Sequence, residues 1–282
     1  MRRGTEPVKG GRPVDSRDLL LAQPLGDPQL NLTLEVFLRM LRDILGGRLV
    51  SVVLFGSAVF DDLAPGYGDL DFLAVVDGDL DPELSRRLVE ARQLLRNGTF
   101  GLMAWMLEGA FLPLAMLDPA VSGHALWWGT SGERPWERNG LGWLVHLVIR
   151  ERGLVIYGRD VRPEVPAPAR AQLVGEIVAA CAGLRRQASI QGLHAVDALL
   201  TAARLLLWLR EGRLSSKSEA ADWAYDNAQG AWRVVLPQAK NLRLNPGMAD
   251  SPAVRKWLEA LAVPINEACD ELEREAAGAV MQ

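Results

Sequence analysis

Three prolines within six residues divide this chain more sharply than any other feature. They stand at Pro163, Pro166 and Pro168 in "RPEVPAPARAQ". Proline fixes φ and lacks a backbone N–H, so neither a helix interior nor a central strand runs through such a stretch. Before it, short apolar runs alternate with segments of helical period. After it, every periodic segment is helical. The chain therefore reads as α+β. An N-terminal domain of mixed sheet and helices is expected at 31–162, a linker at 163–169, and an all-α helical bundle at 170–282. Residues 1–30 begin basic and have no apolar run after the arginines, so they read as a loose arm and not as a secretory signal.

In the first half, "LTLEVFLRMLRDILGG" predicts a helix ending at Gly46-Gly47, and "LVSVVLF" and "DLDFLAVV" predict strands. "DPELSRRLVEARQLL" predicts a helix capped by Asp81 with Pro82 in its first turn. "GLMAWMLEGAFL" reads as a third strand, "ERNGLGWLVHLVIRERG" as a helix and "LVIYG" as a last short strand. In the second half, helices are expected at 170–188, 192–211, 216–228, 231–243 and 252–276. "ALLTAARLLLWLREG" is apolar nearly all round apart from Arg204 until it reaches Arg210, the pattern of a helix central to a bundle. Ser216 with Glu219 three residues on reads as a capping box.

Composition narrows the function classes. With 49% hydrophobic residues over 282 positions the chain is globular. No apolar stretch reaches the roughly 18–20 residues a bilayer requires, so no membrane partner is expected. A net charge of -4 argues weakly against nucleic acid and suits a cationic substrate. Cys181 and Cys269 sit in helical patterns without a Cys-x-x-Cys spacing, consistent with structural thiols in a reducing cytoplasm. The three histidines lie far apart, against a zinc site.

The chemistry concentrates in "VVLFGSAVFDDLAPGYGDLDFLAVV", Val52 to Val76. Asp69 and Asp71 are two apart on a strand and so share a face, with Leu70 and Phe72 turned into the core. A solvent-exposed strand face would also carry acids. Two neighbouring carboxylates, however, repel unless a cation sits between them, and a hard divalent ion such as Mg²⁺ takes oxygen ligands. Gly56-Ser57 ends the preceding strand twelve residues before Asp69. Such a turn offers backbone N–H groups and a hydroxyl to a phosphate. A phosphate cradle beside paired carboxylates suits phosphoryl or nucleotidyl transfer. Asp61-Asp62, in the loop between, read as surface residues or a cap.

An apolar strand, Gly-Ser, eleven intervening residues and Asp-x-Asp in a second strand resemble the signature of the DNA polymerase β nucleotidyltransferase superfamily. That resemblance implies a third carboxylate on a neighbouring strand. Glu108, the lone acid in "GLMAWMLEGAFLP", fits a general base on the acceptor hydroxyl. "LLTAARLLLWLREGRLSSKSEAADWA" and "RPWERNGLGWLVHLVIRERGLVIYGRD" are similar to segments of the streptomycin/spectinomycin-type aminoglycoside adenylyltransferases, over about Val52 to Lys240.

This second resemblance implies ATP as co-substrate, two Mg²⁺ ions on Asp69 and Asp71, and triphosphate contacts from Gly56, Ser57, Arg204 and Lys217. It also implies a drug-pocket tryptophan at Trp136 and acceptor contacts at His194 and Asp197. Arg204 among leucines needs an anion, with Asp197 or Glu219 as the alternative partner in an ordinary salt bridge. Lys217 runs against the helix dipole unless it too meets an anion or is simply solvated. The chain departs from the streptomycin-using pattern in having no tryptophan in "LRRQASIQGLHAVDALL", and it places His194 where the family has an acid that contacts the drug. The expected function is AMP transfer to a small cationic hydroxylated acceptor, spectinomycin-like rather than streptomycin. Its rivals are nucleotidyl transfer to a protein or RNA, and a nucleotide-binding module without catalysis.

Overall fold

The computed structural model describes residues 19–280 apart from Pro65, Thr130 and Gln191. The first helix, α1 (Pro28–Leu45), opens on Asp27, whose side chain accepts from the Gln29 and Leu30 amides at 2.8 and 3.3 Å. Its buried face, Leu30, Leu34, Phe37, Leu38, Leu41 and Leu45, follows the 3-4 spacing of an amphipathic helix. Residues 1–18 of the expected arm lie outside the described residues. Residues 19–30 are not loose. Leu20 and Leu21 donate their amides to the Glu35 carboxylate at 3.0–3.1 Å, and the Ala22 amide bonds the Ile156 carbonyl at 2.8 Å. Leu20, Leu21 and Leu25 pack against the core and fix the chain before the helix starts.

Among the described residues six strands form one sheet: β1 (Leu49–Leu54), β2 (Leu70–Val76), β3 (Leu107–Pro113), β4 (Ser122–Gly129), β5 (Gly132–Arg138) and β6 (Leu154–Gly158). Their spatial order is β5-β4-β3-β2-β1-β6. Only β2 and β3 run parallel, and the helices α2 (Pro82–Leu95) and α3 (Leu102–Trp105) supply the crossover such a pair requires. Alternation splits the sheet into two faces. Val52, Leu54, Phe72, Phe111 and Trp128 pack under α1 and α2, while Val53, Leu73, Val75, Ala110 and Leu112 pack under α4 (Trp143–Arg152). Asp71 and Glu108 have the parity of the second face.

The third expected strand is a single helical turn followed by β3, because Gly101 at φ +76° reverses the chain before Leu102. The expected helix from Glu137 begins only at Trp143. The residues before it complete β5, an edge strand whose Pro135 is tolerated because no further strand needs its N–H.

After a short 3-10 turn at Arg162–Glu164 the chain is helical: α5 (Arg170–Ser189), α6 (Leu193–Glu211), α7 (Lys217–Asn227), α8 (Leu236–Leu244), α9 (Pro252–Glu259) and α10 (Ala262–Val280). The α6 helix is the centre of the bundle, with Ala195, Leu199, Leu200, Ala203 and Leu206 buried, and it ends on Gly212 at φ +67°. The expected helix over 252–276 is two helices, since Pro264 is accommodated in a first turn but not in a helix interior. Of the expected capping box, Ser216 Oγ accepts the Glu219 amide at 2.9 Å, but the Glu219 carboxylate turns to Arg213 instead. Both cysteines are free and buried between α5 and α10. Among the described residues no helix is long and apolar enough to cross a membrane.

Candidate active site

A cleft of about 520 Å³ lies between the sheet region and the bundle. Its sheet wall is built by the end of β1 and the start of β2. After β1 the chain enters a tight turn at Gly56–Phe60, and Gly56 adopts φ +65°. A Cβ on Gly56 would stand 1.9 Å from Asp71 Oδ2, so only glycine lets the turn's backbone lie against that carboxylate. The Ser57 hydroxyl faces the Asp69 carbonyl at 3.4 Å. The expected phosphate turn and the expected metal ligands are therefore one contiguous surface.

Asp71 stands directly opposite Glu108 in the parallel β2–β3 register. Asp69 precedes β2 at the exposed mouth, and Asp71 lies half-buried at the floor. Burial, followed by the charges of Glu108 and Asp197, pushes the Asp69 carboxyl up to about 6. Burial, followed by Asp69 and Glu108, pushes Asp71 up to about 8. Solvent at the mouth screens Asp69, so the larger effect belongs to Asp71. Among the described residues no group of three His, Cys, Asp or Glu side chains forms a metal cage. Two oxygen-donor carboxylates that repel each other still fit Mg²⁺, which is typically held by one or two carboxylates with phosphate oxygens and water completing its shell.

These shifts set a pH dependence. Between the ordinary carboxyl value of 3.8 and about 8 the folded chain retains a proton on Asp71 that the unfolded chain has lost. Stability therefore falls as pH rises through that window. Thermal melts of the metal-free protein are expected to show a midpoint that declines from pH 4 to pH 8, and Mg²⁺ should restore it most at the alkaline end. A midpoint that rises steadily over this interval would contradict the account.

The bundle wall brings cations. Burial pushes the Arg204 guanidinium down from its ordinary value, with Asp197, Asp71 and Asp62 opposing. Arg204 makes no hydrogen bond or ion pair with a described residue, and its nearest specific contact is the Phe60 ring, 5.9 Å away. The two salt-bridge partners considered from the sequence are engaged elsewhere. Asp197 pairs with Lys217, and Glu219 with Arg213. Lys217 is the first residue of α7 and lines the same cleft, as do His194 and Asp197.

The structure thus gathers Gly56, Ser57, Asp69, Asp71, His194, Asp197, Arg204 and Lys217 around one cleft. Glu108 is not among the lining residues but adjoins Asp71 on the same sheet face. Trp136 is not brought in. It lies in β5, stacked on Trp127 with ring centroids 5.0 Å apart.

Asp62, read from the sequence only as a surface residue or a cap, also lines the cleft, as do Tyr67 and Arg243, which the sequence did not single out. Asp62 is no surface residue. It is buried against Arg243 and caps α7 through the Ser218 amide, so its role as a cap operates across the cleft. The Tyr67 hydroxyl, pushed up by burial, donates to the Leu193 carbonyl at 3.1 Å. Arg243 in "NLRLNPG" follows a buried-face spacing with Ala239 and Leu242, the one hint that its guanidinium turns inward.

A second hollow of about 240 Å³ shares Gly56, Asp71 and Arg204 with the cleft. Leu144, Val148, Leu205, Trp208 and Leu214 supply its apolar walls, and the buried Ser215 hydroxyl there has no hydrogen-bond partner.

Residues 164–267 match the family described as aminoglycoside adenylyltransferase, C-terminal domain. The fold is similar to that of the spectinomycin adenyltransferase AAD(9) from Enterococcus faecialis, solved with ATP and spectinomycin. The TM-score is 0.67 at 16% sequence identity, over 86% of this chain and 98% of that one. No curated protein matches the sequence. Residues 164–267 are thus similar to the C-terminal domain of the aminoglycoside adenylyltransferases, and the sheet-then-bundle fold that carries them is that of the similar adenyltransferase structure.

Proposed function

We propose that the chain transfers AMP from ATP to a hydroxyl of a small cationic acceptor of the aminocyclitol type, releasing pyrophosphate. The observation that carries this reading is Arg204, a half-buried cation without an ion-pair partner among the described residues, which shares one cleft with the carboxylates of Asp69 and Asp71. A triphosphate with its cation satisfies both sides at once.

In this reading Asp69 and Asp71 hold Mg²⁺, two ions in all. When bound, Mg²⁺ neutralises charge building up on the phosphates. The Gly56 turn, Ser57, Arg204 and Lys217 bind the triphosphate. The base enters the 240 Å³ hollow, where apolar walls take its faces and Ser215 offers a hydroxyl to its edge. Glu108 accepts the proton as the acceptor oxygen attacks the α-phosphorus, and the bond to pyrophosphate breaks. The reading includes a boundary at 163–169 between a nucleotidyltransferase domain and a helical domain, and a reducing cytoplasmic location.

His194 and Asp197 face the acceptor. The Asp197 carboxylate suits a cationic amine, and the Lys217 ammonium now occupies that place. Because the similar AAD(9) was solved with spectinomycin, and the tryptophan implied for streptomycin users is missing from "LRRQASIQGLHAVDALL", spectinomycin is favoured over streptomycin. Trp136 takes no part in this reading.

Pyrophosphate release across a panel of aminocyclitols and aminoglycosides, with ATP and with GTP, is the test. Release with ATP and a small drug is expected. Release only with protein or RNA would replace the acceptor class, and ATP binding without any release would leave a non-catalytic module.

A further inference from the structure

The bundle wall of the cleft is tied to the phosphate turn by one side chain. Asp62 follows the Gly56–Phe60 turn by two residues, and its side chain is 8% exposed. The hydrogen-bond and ion-pair partners of its carboxylate all come from the bundle. Its carboxylate accepts the Ser218 hydroxyl at 2.6 Å and the Ser218 amide at 3.2 Å, and it pairs with Arg243 at 3.0 Å. Arg243, 2% exposed, also donates to the Asp62 carbonyl. Ser218 is the residue after Lys217, so these bonds grip the first turn of α7.

The chemistry of that turn explains the need. Lys217 places a positive charge at the positive end of a helix, which is unfavourable. The Asp62 carboxylate, bonded to an amide of the same turn, supplies the negative charge that offsets it. It also sets the distance between the turn that carries Gly56 and Ser57 and the helix that carries Lys217.

We infer that Asp62 is a positioning residue for Lys217. It acts across the two regions, holding the α7 N-terminus over the phosphate turn so that a triphosphate meets both together. The inference rests on the reading that Lys217 binds triphosphate.

A double-mutant cycle on the full chain separates the two. Lys217→Met is expected to raise the KM for ATP. Asp62→Ala should raise it roughly tenfold, within the range of coupling in ion-pair networks, and in the Lys217→Met background the same change should add less than about twofold. Equal effects in both backgrounds would overturn the inference and leave Asp62 a structural residue. No change in ATP KM from Lys217→Met would overturn the reading of Lys217 itself. Asp62→Ala leaves Arg243 buried without its partner, so Ser218→Ala provides a milder cycle that keeps the ion pair intact. It is expected to show the same loss of effect in the Lys217→Met background, in chains whose thermal midpoint matches the parent.

Discussion

Asparagine in place of Asp71 is expected to lower kcat/KM by about 10³-fold or more, the scale of several kcal/mol of lost charge stabilisation. The amide is nearly the same size, so Gly56, whose backbone abuts Asp71 Oδ2, has no reason to move. What is lost is the negative charge. One oxygen is exchanged for an N–H₂ group that repels a cation. Stability should move the other way. The variant removes the carboxyl that the fold pushes up to about 8, so the metal-free protein should melt higher than the parent at pH 8, and its fall in midpoint with pH should flatten. Activity lost together with apo stability gained is a pattern that misfolding does not produce. Enzyme assays and melts on the same preparation check both halves.

Glu108→Gln is expected to lower kcat by about 10²–10⁴-fold, the usual contribution of a general base, while leaving the Kd for ATP–Mg²⁺ close to that of the parent. Glu108 lies in register with Asp71 but does not line the cleft, so it stands at the right level of the sheet to receive a proton and outside the phosphate contacts. Calorimetry for binding and pyrophosphate release for turnover separate the two effects. Unchanged turnover would remove Glu108 from the mechanism, and a large loss of ATP affinity would make it a metal ligand instead.

Much of this was legible in the sequence because the governing rules are local. A period of two placed Asp69, just before β2, and Asp71, within it, toward the same cleft, and Gly56-Ser57 after β1 marked the turn beside them. The nearly all-apolar α6 announced a bundle centre, with Arg204 as its anomaly. Other features depended on contacts between segments far apart in sequence. Asp62 meets Ser218 and Arg243 across more than 150 residues, and nothing in "VFDDLAPG" distinguishes it from its exposed neighbour Asp61. The strand β5 escaped notice because "ERPWERNG" is charged and carries a proline, and only its position at the sheet edge makes Pro135 acceptable. The break before α10 could have been read from Pro264, but strong apolar periodicity on both sides masked it.

The central claim is that the carboxylate pair on the sheet and the cations on the bundle complete one nucleotide site. The most direct measurement is a crystal structure with Mn²⁺ and an ATP analogue whose α–β phosphate bridge cannot be cleaved, with the metal located by anomalous scattering. The account predicts Mn²⁺ bound by Asp69 and Asp71, the triphosphate against the Gly56–Ser57 turn, and Arg204 and Lys217 in contact with it, Lys217 having left Asp197. Metal held away from the two aspartates, or a triphosphate that leaves Arg204 without an anion, would contradict it.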